Sequence, residues 1–566
     1  MNLSGANCWS SAANQLLTLA FQRDETRPEC FRFKCAMLLL RVKSFDDLVR
    51  TAALEFAARP FLIDDELLGT VSYSRVAQFA AGLERSFDEM GIPVGAPVAT
   101  VFHNCGLAAL LFLAVMASRR MFIPLNPLSS QDELTYMLDR ARCEAVLFDP
   151  AHSRVTEAGM GERLTLPITD HRSYVDERSM HGAADALRSA REASDEALFV
   201  GEVVFTSGST GRPKGVVLSE ANLLSNAEAL AQVYKLAGAD RFLTVCPLFH
   251  NSGQVFTTLA CALVGGSTAV VKSDVGMLHF WRYVTRYEAH WSLGMVSFLA
   301  LLLSQPGRQG PGKPMRGLLT GGSAIDAALI QNFETRFGVP VSAIYGLTES
   351  ASIATCEPLD SPSRSLGSSG AALPICDVRI GPDPGQLASS DNPAAREPGE
   401  IWISGPTVFQ EYLADPELTL SRKQEGWLRT GDVGYFDASG NLFIVDRLDS
   451  MLIVGGENVY PAEIERLGAL LPGAAQVVLA GLDHEIWRTQ LVLVYKAAPA
   501  GGASPAQWHR VLAQHVTAHK IPQRYVAVEE LGLDEFPRRA NGKLDRHRLS
   551  VLLKNRFSQS TAEVKS

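Results

Sequence analysis

The stretch Thr206-Ser-Gly-Ser-Thr-Gly-Arg-Pro-Lys-Gly215 constrains this 566-residue chain more than any other. It follows the short apolar run Val203-Val204-Phe205 and precedes a helix-like segment from Ser219 to Tyr234. On pattern alone, three glycines, four hydroxyls and one lysine lie between a strand and a helix. Glycine lets the backbone turn tightly and bring its N–H groups close to a ligand, while hydroxyls and a lysine suit phosphate oxygens. A Ser/Gly-rich surface turn is the plainer reading of such a composition. The order of residues here is too particular for it. The stretch is not a Walker loop either, because Pro213 stands where the Gly-Lys-Ser/Thr ending needs glycine.

The text around it alternates strand and helix. Phe45, Leu48, Val49, Ala52, Ala53 and Phe56 recur at helical spacing; a strand near Val71 and a second helix to Met90 follow. Val98–Phe102 and Ala145–Phe148 read as strands, with an apolar helix from Gly106 to Ala117 and Phe122-Ile-Pro-Leu-Asn-Pro127 between them. After the loop, Phe242–Cys246, Thr268–Val271, Leu293–Val296, Gly317–Thr320 and Val341–Ile344 are strand-like, with helical text between. Such alternation predicts parallel βαβ units and a layered α/β domain. Residues 151–196 read as an exposed connection, and Ser304–Arg316 and Gly381–Gly399 as loops. Between Ile401 and Val445 short strands punctuated by Gly, Asp and Asn predict a small β-rich subdomain, and a small α+β unit begins at Met451.

The length calls for at least two domains. A hydrophobic share of 46% with 20% charged residues is that of a globular protein in water, and a net charge of −9 argues against a nucleic-acid surface. Nine scattered cysteines without metal spacing fit reduced thiols in a cytoplasmic protein. No run of about 18 apolar residues predicts a membrane span. The start lacks the basic region of a secretory signal.

Further motifs follow in order. Gly321-Gly322-Ser323 follows a strand and exposes backbone N–H groups where a flat ligand can approach. Tyr345-Gly-Leu-Thr348-Glu349 offers an aromatic face, a hydroxyl and a carboxylate able to hold Mg²⁺. Thr430-Gly-Asp432-Val-Gly434 presents an aspartate in what reads as a tight turn, where a carboxylate can accept two ribose hydroxyls. Asp446-Arg447 comes next on a strand, then Met451-Leu-Ile-Val-Gly455-Gly456-Glu457-Asn-Val-Tyr-Pro, and finally Pro537-Arg-Arg-Ala-Asn-Gly-Lys543-Leu-Asp-Arg546. Alone, a Gly-Gly turn or a solvated glutamate means little. Together, in this order, the motifs resemble the adenylate-forming superfamily of acyl- and aryl-CoA synthetases, luciferases and peptide-synthetase adenylation domains, over roughly Phe45 to Leu549.

The resemblance implies an α/β fold: a large domain at residues 44–448, with two helix-flanked sheets and a β-barrel-like part, and a small mobile α+β lid at 449–566 hinged at Asp449. Residues 1–43 lie outside every pattern. Met37 precedes a start typical of the family, so Met1–Ala36 is either an extension or an over-called start, and the native mass distinguishes the two.

ATP, Mg²⁺ and CoA (or a phosphopantetheine arm) are the implied cofactors, with a small-molecule carboxylic acid and CoA, or an acyl carrier protein, as partners. The resemblance assigns Thr206, Ser207, Gly208, Ser209, Thr210 and Gly211 with Lys214 to the β- and γ-phosphates. Gly321, Gly322 and Ser323 join the nucleotide site, with Tyr345 on adenine, Thr348 on the α-phosphate, Glu349 on Mg²⁺, and Asp432 and Arg447 on ribose. Lys543 would bridge the acyl carboxylate and the phosphate; Gly455, Gly456 and Glu457 would help build the thiol channel. Asp449-Ser450 departs from the usual pair at the hinge in its serine.

Amino-acid-activating relatives place an aspartate after the phenylalanine at Phe249, whereas this chain has His250, so an α-ammonium would be buried unpaired. A Phe-His pair resembles fatty and aryl acyl-CoA synthetases. The segments expected to line the acyl pocket, Asn251–Gln254, Met295–Phe298, Gly321–Ser323 and Leu347–Ile353, hold no Arg or Lys for a second carboxylate. A monocarboxylic acid, fatty or aromatic with medium-chain acids ahead, is therefore expected. Three rivals compete: an acyl-AMP ligase loading a carrier-protein thiol, a luciferase-type oxidation, and a silent nucleotide-binding scaffold, the last at odds with the presence of Glu349 and Lys543.

Overall fold

The computed structural model describes residues 42–64, 69–149, 163–168, 200–207, 212–305, 310, 315–322, 325–362, 364–454, 457–484, 488–499, 502, 504–538 and 544–563. Two large sheets dominate. In the first, six parallel strands (Val341–Tyr345, Gly317–Gly321, Trp291–Met295, Arg241–Thr244, Ser267–Val270, Pro60–Asp64) are flanked by antiparallel Thr355–Cys356 and Ala371–Ala372 on one side and by Gly69–Ser72 on the other. The second runs Glu411–Tyr412, Pro213–Ser219, Val200–Ser207, Met121–Leu125, Pro97–Val101, Ala145–Phe148, Leu164–Pro167. It is parallel from Leu164–Pro167 to Val200–Ser207 and antiparallel beyond. Parallel strands such as Ala145–Phe148 and Met121–Leu125 are apolar along their length because both faces are covered.

The helix Gly106–Ala117 shows why a sequence apolar all round need not be a membrane span. It touches strands of both sheets, so every face is buried. Its N-cap, Cys105, offers no capping side chain; Asp64 accepts the Gly106 N–H at 2.7 Å instead, placing a carboxylate at the positive helix end. Among the described residues no helix is long and apolar enough to cross a membrane. Six described cysteines are free, and burial pushes the thiols of Cys105, Cys143 and Cys356 up to about 12, which keeps them inert.

A five-stranded antiparallel sheet (Asp377–Ile380, Gly399–Ser404, Trp427–Phe436, Lys423–Gln424, Leu442–Arg447) covers the β-rich stretch. Beyond it lie the hairpin Leu452–Val454/Glu457–Val459 and a three-stranded sheet of Ala474–His484, Arg488–Ala497 and Arg524–Ala527. These pack around two further apolar clusters, one on Trp508 and one on Phe536 and Leu553.

Three expectations change. Residues 164–167, read as part of a connection, form an edge strand on Ala145–Phe148. The helix expected from Ser219 to Tyr234 stands as Glu220–Val233 with Ser219 as its cap, but the loop does not lead straight into it: Pro213–Ser219 first runs back antiparallel to Val200–Ser207. Val216 and Leu218 alternate with Val217 between two apolar clusters, a strand period that helical spacing farther on conceals. And Thr430–Gly434 lies inside the ten-residue strand Trp427–Phe436 rather than in a tight turn. Its Gly431 takes φ +73°, and a Cβ there would come within 2.6 Å of Arg422 Nη1.

Candidate active site

Residues 208–211, holding Gly208, Ser209, Thr210 and Gly211, lie outside the described residues. The strands that bracket them pair with each other, Thr206 with Lys214 and Ser207 with Pro213, and the helix Glu220–Val233 begins only after the second of these strands. Lys214 Nζ lies 3.6 Å from Glu349 Oε1 and 3.4 Å from Tyr412 Oη, over the Tyr412 ring at 4.6 Å. Tyr412 in turn donates to Glu349 Oε1 at 2.6 Å. Burial lowers the Lys214 pKa, Arg422 and Arg447 push the same way, and Glu349 opposes them.

Glu349 is placed by a strained turn. The strand Val341–Tyr345 ends at Gly346, where any Cβ would meet Ser352 O at 2.0 Å. The chain then makes a single 3₁₀ turn, Thr348–Ser350, closed by the Leu347 N–H donating to Ser350 Oγ at 2.9 Å. Ala351 and Ser352 follow at φ +51° and +103°, backbone values that side chains disfavour and that cluster at functional sites. The Phe409 N–H holds Glu349 O at 2.9 Å, and Asn251 Nδ2 donates to Thr348 O at 3.4 Å.

A second group forms at the other end of the same loop. Tyr345 Oη donates to Asp432 Oδ2 at 2.7 Å, joining residues 87 positions apart. Arg447, the register partner of Asp432 on Leu442–Arg447, lies with Nη1 3.3 Å from Asp432 Oδ1. Burial raises the Asp432 pKa, with Arg447 and the Tyr345 hydroxyl opposing it. The adjoining Asp446 is differently occupied: its Oδ2 accepts from Ala462 N at 2.7 Å.

Gly321 ends its strand where a Cβ would lie 2.6 Å from Ile344 O, and Gly322 takes φ +83°. Ser323 lies outside the described residues, as do Gly455, Gly456 and Lys543. His250 sits exposed in the turn after Arg241–Thr244, its N–H on Pro247 O at 3.1 Å and its ring 4.7 Å from that of Phe249. Asp449 falls in the 3₁₀ turn Leu448–Ser450, and Glu457 opens the strand Glu457–Val459.

Two contributors escaped sequence reasoning. Tyr412 looks like one aromatic in a polar loop, but pairs with Val216 across the sheet and so reaches Glu349 and Lys214. Arg422 reaches the cluster from the short helix Pro416–Arg422 and bears on Lys214, Tyr412 and Asp432. Nothing local marks either residue. The site thus gathers three cations (Lys214, Arg422, Arg447) and two carboxylates (Glu349, Asp432), joined through the hydroxyls of Tyr412 and Tyr345. A lone carboxylate at Glu349 suits a hard divalent cation whose other ligands are phosphate oxygens and water.

Comparison with known proteins bears on this arrangement. The profile of the family described as AMP-binding enzyme matches residues 49–413. Sulfoacetate–CoA ligase of Cupriavidus necator is 28% identical over 93% of this chain and 98% of its own length. The 3-[(3aS,4S,7aS)-7a-methyl-1,5-dioxo-octahydro-1H-inden-4-yl]propanoyl:CoA ligase of Mycobacterium tuberculosis is 31% identical over 78% of this chain and 85% of its own. Among solved structures, o-succinylbenzoate CoA synthetase of Bacillus subtilis, in complex with its acyl-adenylate intermediate, shares the fold at a TM-score of 0.74 and 24% identity, over 89% of this chain and 97% of that one.

Proposed function

This chain belongs to the AMP-binding enzyme family, and on that premise we propose that it is an ATP-dependent acid–thiol ligase, joining a monocarboxylic acid to CoA through an acyl-adenylate. The observation that carries the reading is the junction of the two charged groups through one loop: Lys214–Tyr412–Glu349 at one end and Tyr345–Asp432–Arg447 at the other. A triphosphate would lie along the cations, with the phosphate loop and Lys214 on its outer phosphates and Thr348 near the inner one. Asp432 and Arg447 would take the ribose and Tyr345 the adenine, while Glu349 would hold Mg²⁺, which neutralises phosphate charge when bound.

The acid's carboxylate oxygen attacks the α-phosphorus, a P–O bond to pyrophosphate breaks, and an acyl-adenylate forms. A thiol then adds to the acyl carbon and AMP leaves. Carboxylate and triphosphate repel, so the protein's contribution is positioning and charge neutralisation. His250, with Phe249 beside it, would sit between the acyl carboxylate and the thiol path. Gly455, Gly456 and Glu457, past a hinge at Asp449, would serve the second step from a small mobile domain.

The curated relatives' acids are diverse, and one is an anionic sulfonate. Here, the segments proposed to line the acyl pocket carry no Arg or Lys. Met295, the first residue of one of them, is a large apolar side chain left 47% exposed. We therefore expect fatty or aromatic monocarboxylates, medium-chain ones first. A pyrophosphate-release screen over acids, repeated with hydroxylamine trapping, tests this. Faster turnover with malonate, methylmalonate or sulfoacetate would refute the monocarboxylate assignment. Comparing free CoA with a holo carrier protein as acceptor tests the thiol.

Asp432→Asn should raise the KM for ATP about 10- to 100-fold, because hydrogen bonds to charged groups contribute about 1.5–3 kcal/mol. The KM for the acid should hardly move. Equal changes in both constants would remove Asp432 from the ribose.

A further inference from the structure

Among the described residues, one cation of the site, Arg422, has no carboxylate of its own. It is the last residue of the helix Pro416–Arg422, which Asp415 caps by accepting the Leu418 N–H at 3.0 Å. The Tyr412 N–H donates to Thr419 Oγ1 at 2.9 Å and fastens this helix to the strand that carries Tyr412. Just beyond it, Lys423 and Gln424 pair with Leu428 and Trp427. Arg422 is thus held against the strand Trp427–Phe436 from both sides, half-buried. Its Nη1 donates to Arg429 O at 3.2 Å, and most of the guanidinium's N–H donors are left over.

The two carboxylates nearby are already engaged. Asp432 accepts from Tyr345 Oη on Oδ2 and faces Arg447 on Oδ1, while Glu349 Oε1 takes the Tyr412 hydroxyl with Lys214 3.6 Å away. Arg422 and Arg447 also converge. A Cβ built on Gly431 would lie 2.6 Å from Arg422 Nη1 and 3.4 Å from Arg447 Nη2, so glycine at φ +73° is what lets both guanidinium groups lie against the strand beside Asp432. Like charges gathered this closely repel unless an anion joins them.

The charge of Arg422 reaches both ends of the site. Burial leads in lowering the Lys214 pKa and Arg422 adds to it; burial leads in raising that of Asp432, and Arg422, with Arg447, opposes the rise. Arg422 therefore stands between the lysine assigned to the outer phosphates and the aspartate assigned to ribose.

We propose that Arg422 is a further nucleotide-binding residue whose ligand is the inner phosphate, the one bonded to ribose. This rests on the nucleotide assignments above and adds to them a contact that no motif carries. The inner phosphate is common to ATP, the acyl-adenylate and AMP. Arg422 would then hold the nucleotide through both half-reactions, whereas Lys214 would lose its ligand when pyrophosphate leaves. A phosphate oxygen beside Gly431 also supplies the anion that the two guanidinium groups lack.

The test titrates native protein, Arg422→Gln and Arg422→Lys with AMP, MgATP and adenosine by calorimetry. Arg422→Gln should bind AMP and MgATP at least about tenfold more weakly, by similar factors, and adenosine within about twofold of native. Arg422→Lys, which keeps the charge, should recover part of the loss. Loss for MgATP alone would move Arg422 to the outer phosphates, and an equal loss for adenosine would move it to the nucleoside; either overturns the assignment. Unchanged affinities overturn it too, and a lowered melting temperature beside them would leave Arg422 a structural tie to Arg429. Should Arg422→Gln fail to fold, native protein decides: AMP, but not adenosine, should shield Arg422 from a dicarbonyl reagent, read by peptide mass spectrometry. Equal modification under both would refute the contact. Failure of native protein to bind any of the three would instead refute the nucleotide reading on which this inference stands.

Discussion

Glu349→Gln is expected to slow exchange of labelled pyrophosphate into ATP by about 10²–10³-fold while leaving the protein folded. The substitution is chosen to keep shape. A glutamine oxygen can still accept the Tyr412 hydroxyl that Glu349 Oε1 holds at 2.6 Å, and the backbone bond from Phe409 is untouched. What disappears is one negative charge, 3.6 Å from Lys214 and in the place proposed for Mg²⁺. A hard dication prefers an anionic oxygen to an amide. The loss should appear in the chemical step and in the Mg²⁺ concentration needed for half-maximal rate. Exchange within about threefold of native would leave no room for a catalytic metal at this carboxylate.

Lys543→Ala should have an effect of similar size, about 10²–10³-fold, confined to the first half-reaction. The lysine itself lies outside the described residues; its proposed role rests on the motif Pro537–Arg546. The flanks of that motif are well tied. Arg538 and Leu544 form an isolated β-bridge, the Asp545 N–H donates to Pro537 O at 2.8 Å, and Arg546 grips Glu465 with two hydrogen bonds of 2.9 and 2.7 Å. A cation delivered there would meet charge that builds only as carboxylate and phosphate join. Thioester formation from a preformed acyl-adenylate should therefore survive the substitution. Unaltered pyrophosphate exchange would exclude the role outright.

Local pattern went far because local physics decides much of this fold. Gly106–Ala117 and Ala145–Phe148 fall where apolar runs place them, and the helix Phe45–Phe56 begins at the Ser44 side chain that caps it. Local pattern went astray where the partner strand decides. Pro213–Ser219 is a seven-residue stretch to which spacing assigned no element; only pairing with Val200–Ser207 on one side and Glu411–Tyr412 on the other makes it a strand. Gly-Asp-Val-Gly reads as a turn in any sequence, yet here antiparallel neighbours on both sides hold it extended.

The sequence by itself determined the class: ordered motifs, each with residues suited to phosphate, ribose or metal, and a layered α/β scaffold to carry them. The tertiary structure alone decided which of those residues meet. Tyr412 reaches Glu349 across 63 positions and Tyr345 reaches Asp432 across 87. The reason is physical. A side chain's chemistry travels with its residue, whereas its charge, its proton and its partners depend on what folding brings within a few ångströms of it and how much water folding removes.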